Sequence, residues 1–337
     1  LFYFGAMKLV TFLDASGQAR VGALARPGTI VDLARSDRLL GGNGAAFRDM
    51  LALIDAGPAA LDRARRIEED SLARGRGEAL VDATAARLLA PVPEPRQMRD
   101  CLSFEKHLVQ ARAQRFKKLA AQSPDPAAAW RRFEDGGQMA IPKVWYEQPI
   151  YYKQNRFSVV GPDAEILWPR YSKVMDYELE FGVFIGRRGK NIPRGEARAH
   201  IFGYTILNDF SARDAQAREM QGQLGPAKGK DFDTGNAMGP WLVTADEISD
   251  PYDLTMAARV NGEEWSRGSS GTMHHKFEDM IAHISADETL HAGEFIGSGT
   301  VGGGCGLELD RYLADGDVVE LEVSGLGILR NRVRVQA

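Results

Sequence analysis

Cysteine is nearly absent from this chain: Cys101 and Cys305 are the only two in 337 residues. They lie far apart and form no CxxC pair, which argues against a disulfide framework and against a zinc ribbon. Long hydrophobic runs are missing as well. No stretch approaches the ~20 apolar residues of a membrane span, and the N-terminus lacks the charged-then-apolar layout of a secretory signal. The expectation is a cytoplasmic protein with no membrane contact. Excess charge of one sign is also lacking, since 42 basic and 46 acidic side chains leave a formal charge of -4. That balance offers no electrostatic footprint for nucleic acid, so the expected partner is a small soluble molecule.

What is present suits a globular chain, with 44% hydrophobic and 26% charged residues and enough length for one large or two unequal domains. Residues 1–6 precede Met7 and read as a remnant added for expression. Residues 7–90 alternate short strands (Leu9 to Leu13, Val21 to Leu24, Ile30 to Leu33) with amphipathic stretches around Phe47 to Ala56 and Leu61 to Ala73, a small α+β domain. The Pro-studded passage 91–96 can neither continue a helix nor sit in a central strand, and is the expected linker. Residues 97–337 form the larger unit. A basic helical segment at about 104–140 reads as a lid, and strands and turns dominate from Val144 onward. The fold class expected is α+β, dominated by β.

Chemistry is concentrated in three carboxylates. Tyr177 to Ile185 reads as a strand, and its period of two puts Glu178 and Glu180 on one face. Asp209 closes a second apolar run, Tyr204 to Asp209. Buried carboxylates are costly unless a cation or a base neutralises them, and an oxygen-only set suits a hard divalent cation, Mg²⁺ before Ca²⁺ or Mn²⁺. Ser211 and Asp214 fit a capping box that opens a short helix. Offsets of three and four residues then stack Arg213, Gln216 and Met220 on one face, beside the proposed metal.

Several ordered blocks, taken together, resemble the fumarylacetoacetate hydrolase superfamily: Asp176-Tyr177-Glu178-Leu179-Glu180, Gly203 to Gln216, Gly229-Lys230-Asp231-Phe232-Asp233, Met238-Gly239-Pro240, Val260-Asn261-Gly262-Glu263, Ser298-Gly299-Thr300-Val301-Gly302 and Val318 to Val323. The resemblance runs from about Asp100 to the C-terminus. It implies a fumarylacetoacetase-type mixed β-sandwich or roll behind the small N-terminal domain, and a homodimer. It also implies a metal on Glu178, Glu180 and Asp209, with Asp100 as a further ligand and Lys230 near the substrate's developing charge. His107 falls where the hydrolases carry a catalytic histidine, and Glu308 where a glutamate orients it. Lys230, Arg213 and Gln216 would stabilise the tetrahedral oxyanion or clamp a substrate carboxylate, with Thr300 and Gly299 beside it. Leu102 and Met220 stand where the fumarylacetoacetate enzyme has tyrosine donors, so that substrate is in doubt, and Tyr152 is expected to restore one phenol.

The activity expected is metal-dependent hydrolysis of a carbon–carbon bond in a β-diketo acid of the acylpyruvate or fumarylacetoacetate type, as in aromatic catabolism. A histidine backed by a carboxylate would activate the water, and the metal would stabilise the enolate. A decarboxylase or isomerase of an oxaloacetate-type acid uses the same enolate without the water and is the alternative. A catalytically silent ligand-binding member is a third. The sequence Gly297 to Gly302 satisfies G-x-G-x-x-G, but too little chain remains for a βαβ half-domain. Cys101 is expected to be buried and inert, and the pair His274-His275 to lie at the surface or in a loop.

Overall fold

The structure, a computed structural model, describes residues 7–26, 28–75 and 77–336; the expected expression remnant, residues 1–6, lies outside the described residues. A twelve-stranded mixed sheet runs in the order Leu80–Asp82, Thr29–Asp32, Ala19–Arg26, Lys8–Leu13, Asn236–Thr244, Ile201–Asp209, Leu179–Ile185, Phe295–Gly297, Met98–Cys101, Tyr151–Lys153, with two short strands branching from it. A five-stranded sheet, Glu263–Ser269, Thr255–Val260, Val318–Val323, Gly327–Val335, Glu165–Trp168, packs against one of its faces. The β-dominated α+β class is therefore the one observed.

The pleat assigns the faces. Leu179, Phe181, Val183 and Ile185 share a core with Met256, Leu321, Leu329 and Val333 of the five-stranded sheet. Phe184 points the other way and packs with Leu207, Leu242 and Phe295 and with Leu53, Ile54 and Ile67 of the long N-terminal helix. The strand Leu179–Ile185, which bears Glu180, is thus buried on both faces along its whole length, a burial usual for the centre of a covered sheet, while Glu178 lies just outside it in an isolated bridge to Cys305. Gly182 is needed in its middle, because a Cβ there would lie 2.2 Å from the Phe295 ring.

One sheet passes across the expected boundary near Pro95. Lys8 pairs with Val243 and Leu9 with Leu242. Residues 91–96 are not a free tether at their start, since Ala90 and Val92 are buried and the Pro91 carbonyl accepts the Thr11 hydroxyl at 2.7 Å. The division at that point remains a proposal about chain organisation rather than a break in the packing.

The two amphipathic stretches of the N-terminal part are two helical segments within Met50–Ala73, the first capped by Asp49, separated where Gly57 leaves helical geometry with φ 69° ahead of Pro58. The proline has no N–H for the helix ladder, which localises the bend. The segment expected as a lid is helical, Glu105–Ala121 and Pro126–Asp135. Asp125 caps the second helix, Pro126 opens it, and the Phe116 and Phe133 rings, 4.9 Å apart, join the two. Among the described residues no helix is long and apolar enough to cross a membrane.

Candidate active site

Strand register brings the carboxylates together. Glu180 pairs with Leu207, two residues before Asp209 on the neighbouring strand. On the other side Gly182 pairs with Gly297, Gly297 with Asp100, and Asp100 with Tyr152. Carboxylate oxygens of Asp100, Glu180 and Asp209 lie within 4.8 Å of one another, and all three residues are buried. Each is fixed through one oxygen. The Gly299 N–H donates to Asp100 Oδ1 at 3.0 Å, Thr300 donates its hydroxyl to Glu180 Oε1 at 3.0 Å, and Tyr152 donates to Asp209 Oδ2. Glu180 Oε2 and Asp209 Oδ1 are buried with no hydrogen-bond partner.

Thr300, Gly299 and Tyr152, expected at the substrate, are therefore turned to the carboxylates. The reason is visible at Gly299: with φ 78° and only 2.1 Å between an added Cβ and the Cys101 carbonyl, the loop presses its backbone onto the neighbouring strand, and only glycine fits there.

Glu178 stands apart from the three. Lys230 Nζ bridges Glu178 and Asp209, 2.7 Å from Asp209 Oδ2. Arg213 lies 2.8 Å from Glu178 Oε1 as an ion pair, out of line for a hydrogen bond. Burial opposes ionisation of Glu178, yet Lys230 first and Arg213 next hold its carboxyl well below the usual range. Asp100 behaves in the opposite way: burial, with Asp209 beside it, pushes it up to about 8. Burial and the neighbouring carboxylates push Glu180 well up, and burial raises Asp209 despite Lys230. Glu178 is thus neutralised by the chain's own cations, whereas the other three carboxylates crowd together short of positive charge.

Two orphaned oxygens converging in an all-oxygen pocket fit a hard divalent cation. Asp100, Glu180 and Asp209 are the residues placed to hold it. Glu178 as a direct ligand stays a proposal.

Arg213 begins the helix Arg213–Glu219 and donates to Gln216 Oε1 at 2.9 Å, so the expected face forms. The expected capping box does not. Ser211 donates to the Asp209 carbonyl, and Asp214 accepts from Ser172 and the Lys173 N–H, because Ser211 belongs to a short strand pairing with Met175–Asp176. Met220 is 39% exposed in the turn after the helix. Leu102 contributes its carbonyl, which accepts the Trp145 indole N–H.

His107, on the first lid helix, and Glu308, on the short helix Gly306–Leu309, do meet. Nδ1 and Oε1 are 3.3 Å apart and both side chains are buried, although the pair is not aligned as a hydrogen bond. Glu308 is held by the N–H groups of Gly303 and Cys305, at 3.0 and 3.1 Å. His107 is close enough to Glu178 to favour that residue's ionised form. His274 and His275 lie in a loop, as expected, His274 exposed and His275 buried with its Nε2 2.6 Å from the Trp145 carbonyl.

Two residues at the site were not singled out from sequence. Asp176 accepts from Arg213 Nε at 2.7 Å and from the Gly306 and Leu307 N–H groups at 2.7 and 2.9 Å. The period of two that groups Glu178 with Glu180 includes Asp176 and could have found it. Cys305 pairs with Glu178 in a short antiparallel bridge, a contact between distant segments that no local spacing signals.

Residues 119–334 match the fumarylacetoacetate (FAA) hydrolase C-terminal family, and the chain belongs to that family. Family members generally bind a divalent metal. The human protein oxaloacetate tautomerase FAHD2A, mitochondrial, is 39% identical over 188 residues, 56% of this chain and 59% of that protein's own length. Two solved structures cover 98% of this chain at 26% identity and TM-score 0.69: a probable 2-hydroxyhepta-2,4-diene-1,7-dioate isomerase from Mycobacterium abscessus, covered to 99%, and a fumarylacetoacetate hydrolase from Exiguobacterium antarcticum, covered to 100%.

Proposed function

We propose that this chain is a metal-dependent isomerase of a short 2-oxo dicarboxylic acid, interconverting its enol and keto forms, with an oxaloacetate-type acid as substrate. The observation that carries the reading is the placement of two buried cations, Lys230 and Arg213, beside a carboxylate cluster short of positive charge. Such a site accepts an anion whose charge shifts onto an enolate oxygen. The likeness to a human oxaloacetate tautomerase supports this choice over hydrolysis.

A divalent cation held by Asp100, Glu180 and Asp209 would supply Lewis-acid polarisation of the 2-oxo group. Lys230, locked between Glu178 and Asp209, places fixed positive charge where the enolate oxygen develops, without reorganising during the reaction. Arg213, held from behind by Asp176 and from the side by Gln216, binds a substrate carboxylate. In the keto-to-enol direction His107 takes the proton from carbon and delivers it to the enolate oxygen, and in the enol-to-keto direction it moves the proton from oxygen to carbon, with Glu308 stabilising the imidazolium in between. Tyr152, Thr300 and Gly299 keep the carboxylates oriented.

Hydrolysis of an acylpyruvate is the second reading, and the His107–Glu308 pair is the observation that favours it, since water activation needs such a dyad. A homodimer belongs to either proposal. The test follows loss of enol-oxaloacetate absorbance with Mg²⁺ or Mn²⁺ in parallel with acid release from acylpyruvates. Faster enol decay without acid release is expected; acid release with no effect on the enol would replace the first reading by the second.

A further inference from the structure

Beside the hard-cation site lies a second cluster of different chemistry. His107, Cys305 and Glu308 place a ring nitrogen, a sulfur and a carboxylate oxygen within 4.8 Å of one another, and all three residues are buried. His107 Nδ1 is 3.3 Å from Glu308 Oε1, and Cys305 Sγ is 3.4 Å from Glu308 Oε2. Two atoms sharing one tetrahedral Zn²⁺, with bonds of about 2.0–2.3 Å, lie roughly 3.3–3.7 Å apart. The two separations fall in that range, one to each oxygen of Glu308, so the carboxylate faces the nitrogen with one oxygen and the sulfur with the other.

A second observation points to a ligand. His107 is 8% exposed, yet its Nδ1 is buried and makes no hydrogen bond, although it lies against a carboxylate. An imidazole placed there only to be oriented by Glu308 would be aligned with it. Glu308 itself is pinned by the N–H groups of Gly303 and Cys305, so the carboxylate is preset while the nitrogen and the sulfur converge on it.

We propose that His107, Cys305 and Glu308 form a binding site for a borderline-soft divalent cation of the Zn²⁺ class, separate from the oxygen-only site of Asp100, Glu180 and Asp209. The mixed nitrogen, sulfur and oxygen set selects against Mg²⁺ and Ca²⁺, which prefer oxygen. Cys305 is free and buried, and burial pushes its thiol well up, so without a metal the sulfur stays protonated and inert. Binding replaces that proton: the sulfur lone pair passes to the metal and the proton leaves to solvent. The fourth coordination position is left to water. Because the ion would occupy His107, it would also inhibit the isomerase. That consequence alone rests on the function proposed above.

The experiment titrates the Mg²⁺-saturated protein with Co²⁺, whose bond to a thiolate gives a charge-transfer absorption that oxygen ligands do not. About one equivalent should bind with this band, and Zn²⁺ should displace it. Cys305→Ser and Cys305→Ala should each abolish the band while keeping Mg²⁺-dependent turnover, and Glu308→Gln should weaken Co²⁺ binding at least about tenfold. Absence of the band, or its persistence in both Cys305 variants, overturns the site. Turnover is measured in the same samples with added Zn²⁺. A Cys305-dependent band with no loss of turnover upholds the site and removes His107 from the reaction. Zn²⁺ inhibition that survives in both Cys305 variants assigns the inhibition to other residues and counts against the proposal.

Discussion

Asp176 accepts the Nε–H of Arg213 at 2.7 Å, with the arginine side chain 6% and the aspartate 0% exposed. The same carboxylate caps the N-terminus of the helix that carries Glu308. One buried aspartate thus ties Arg213 to the element that carries Glu308.

Replacing Asp176 by Asn should therefore disturb both. Removing one partner of a buried ion pair leaves the other uncompensated, and a loss of about 3–5 kcal/mol is expected in urea unfolding. Arg213→Met combined with Asp176→Asn should be less damaging than the two losses added together, because the pair acts as a unit. Strict additivity in that cycle would show that the contact carries no coupling. In a folded preparation KM should rise more than kcat falls, since Arg213 is assigned to binding.

Thr300→Val tests whether the loop around Gly299 serves the carboxylates. The change keeps the shape but removes the hydroxyl that donates to Glu180 Oε1. Groups that orient a metal ligand typically change affinity by about 10–100-fold, so a weakening of that size is expected in calorimetric Mg²⁺ or Mn²⁺ titration. Stability of the metal-free protein should fall by only about 1 kcal/mol. An unchanged metal affinity would return Thr300 to a substrate role.

How much of this was legible beforehand depends on the range of the interaction. Glu180 and Asp209 could be read locally, because strand periodicity fixes the face and the end of a strand fixes the position. Asp100, His107 and Glu308 came only through family resemblance, since their meeting depends on non-local strand and helix packing. The pairing of Lys8 with Val243 was not legible, and so a proline-rich passage read as a linker where the sheet is continuous. The strand Glu263–Ser269 was missed because it is mostly polar and partly exposed. Phe295–Gly297 was missed because three residues carry no period. Cys305 escaped notice for the same reason as Asp100: neighbours in space, strangers in sequence.

The junction between the N-terminal helix and the main sheet should respond to pH through Glu68. This residue lies on the helix Met50–Ala73, and burial, followed by repulsion from Glu247, raises it from 4.5 to about 7 against the attraction of Arg65. The folded chain then holds this proton more tightly than the unfolded chain does. The protonated form prevails in both states below 4.5, and stability is lost as pH rises from there through about 7. Gln cannot ionise and removes the penalty. Glu68→Gln should match the parent in urea midpoint near about pH 4, become the more stable protein as pH rises, and reach a constant advantage by about pH 8. A difference that does not vary with pH would mean that packing, not ionisation, governs this position.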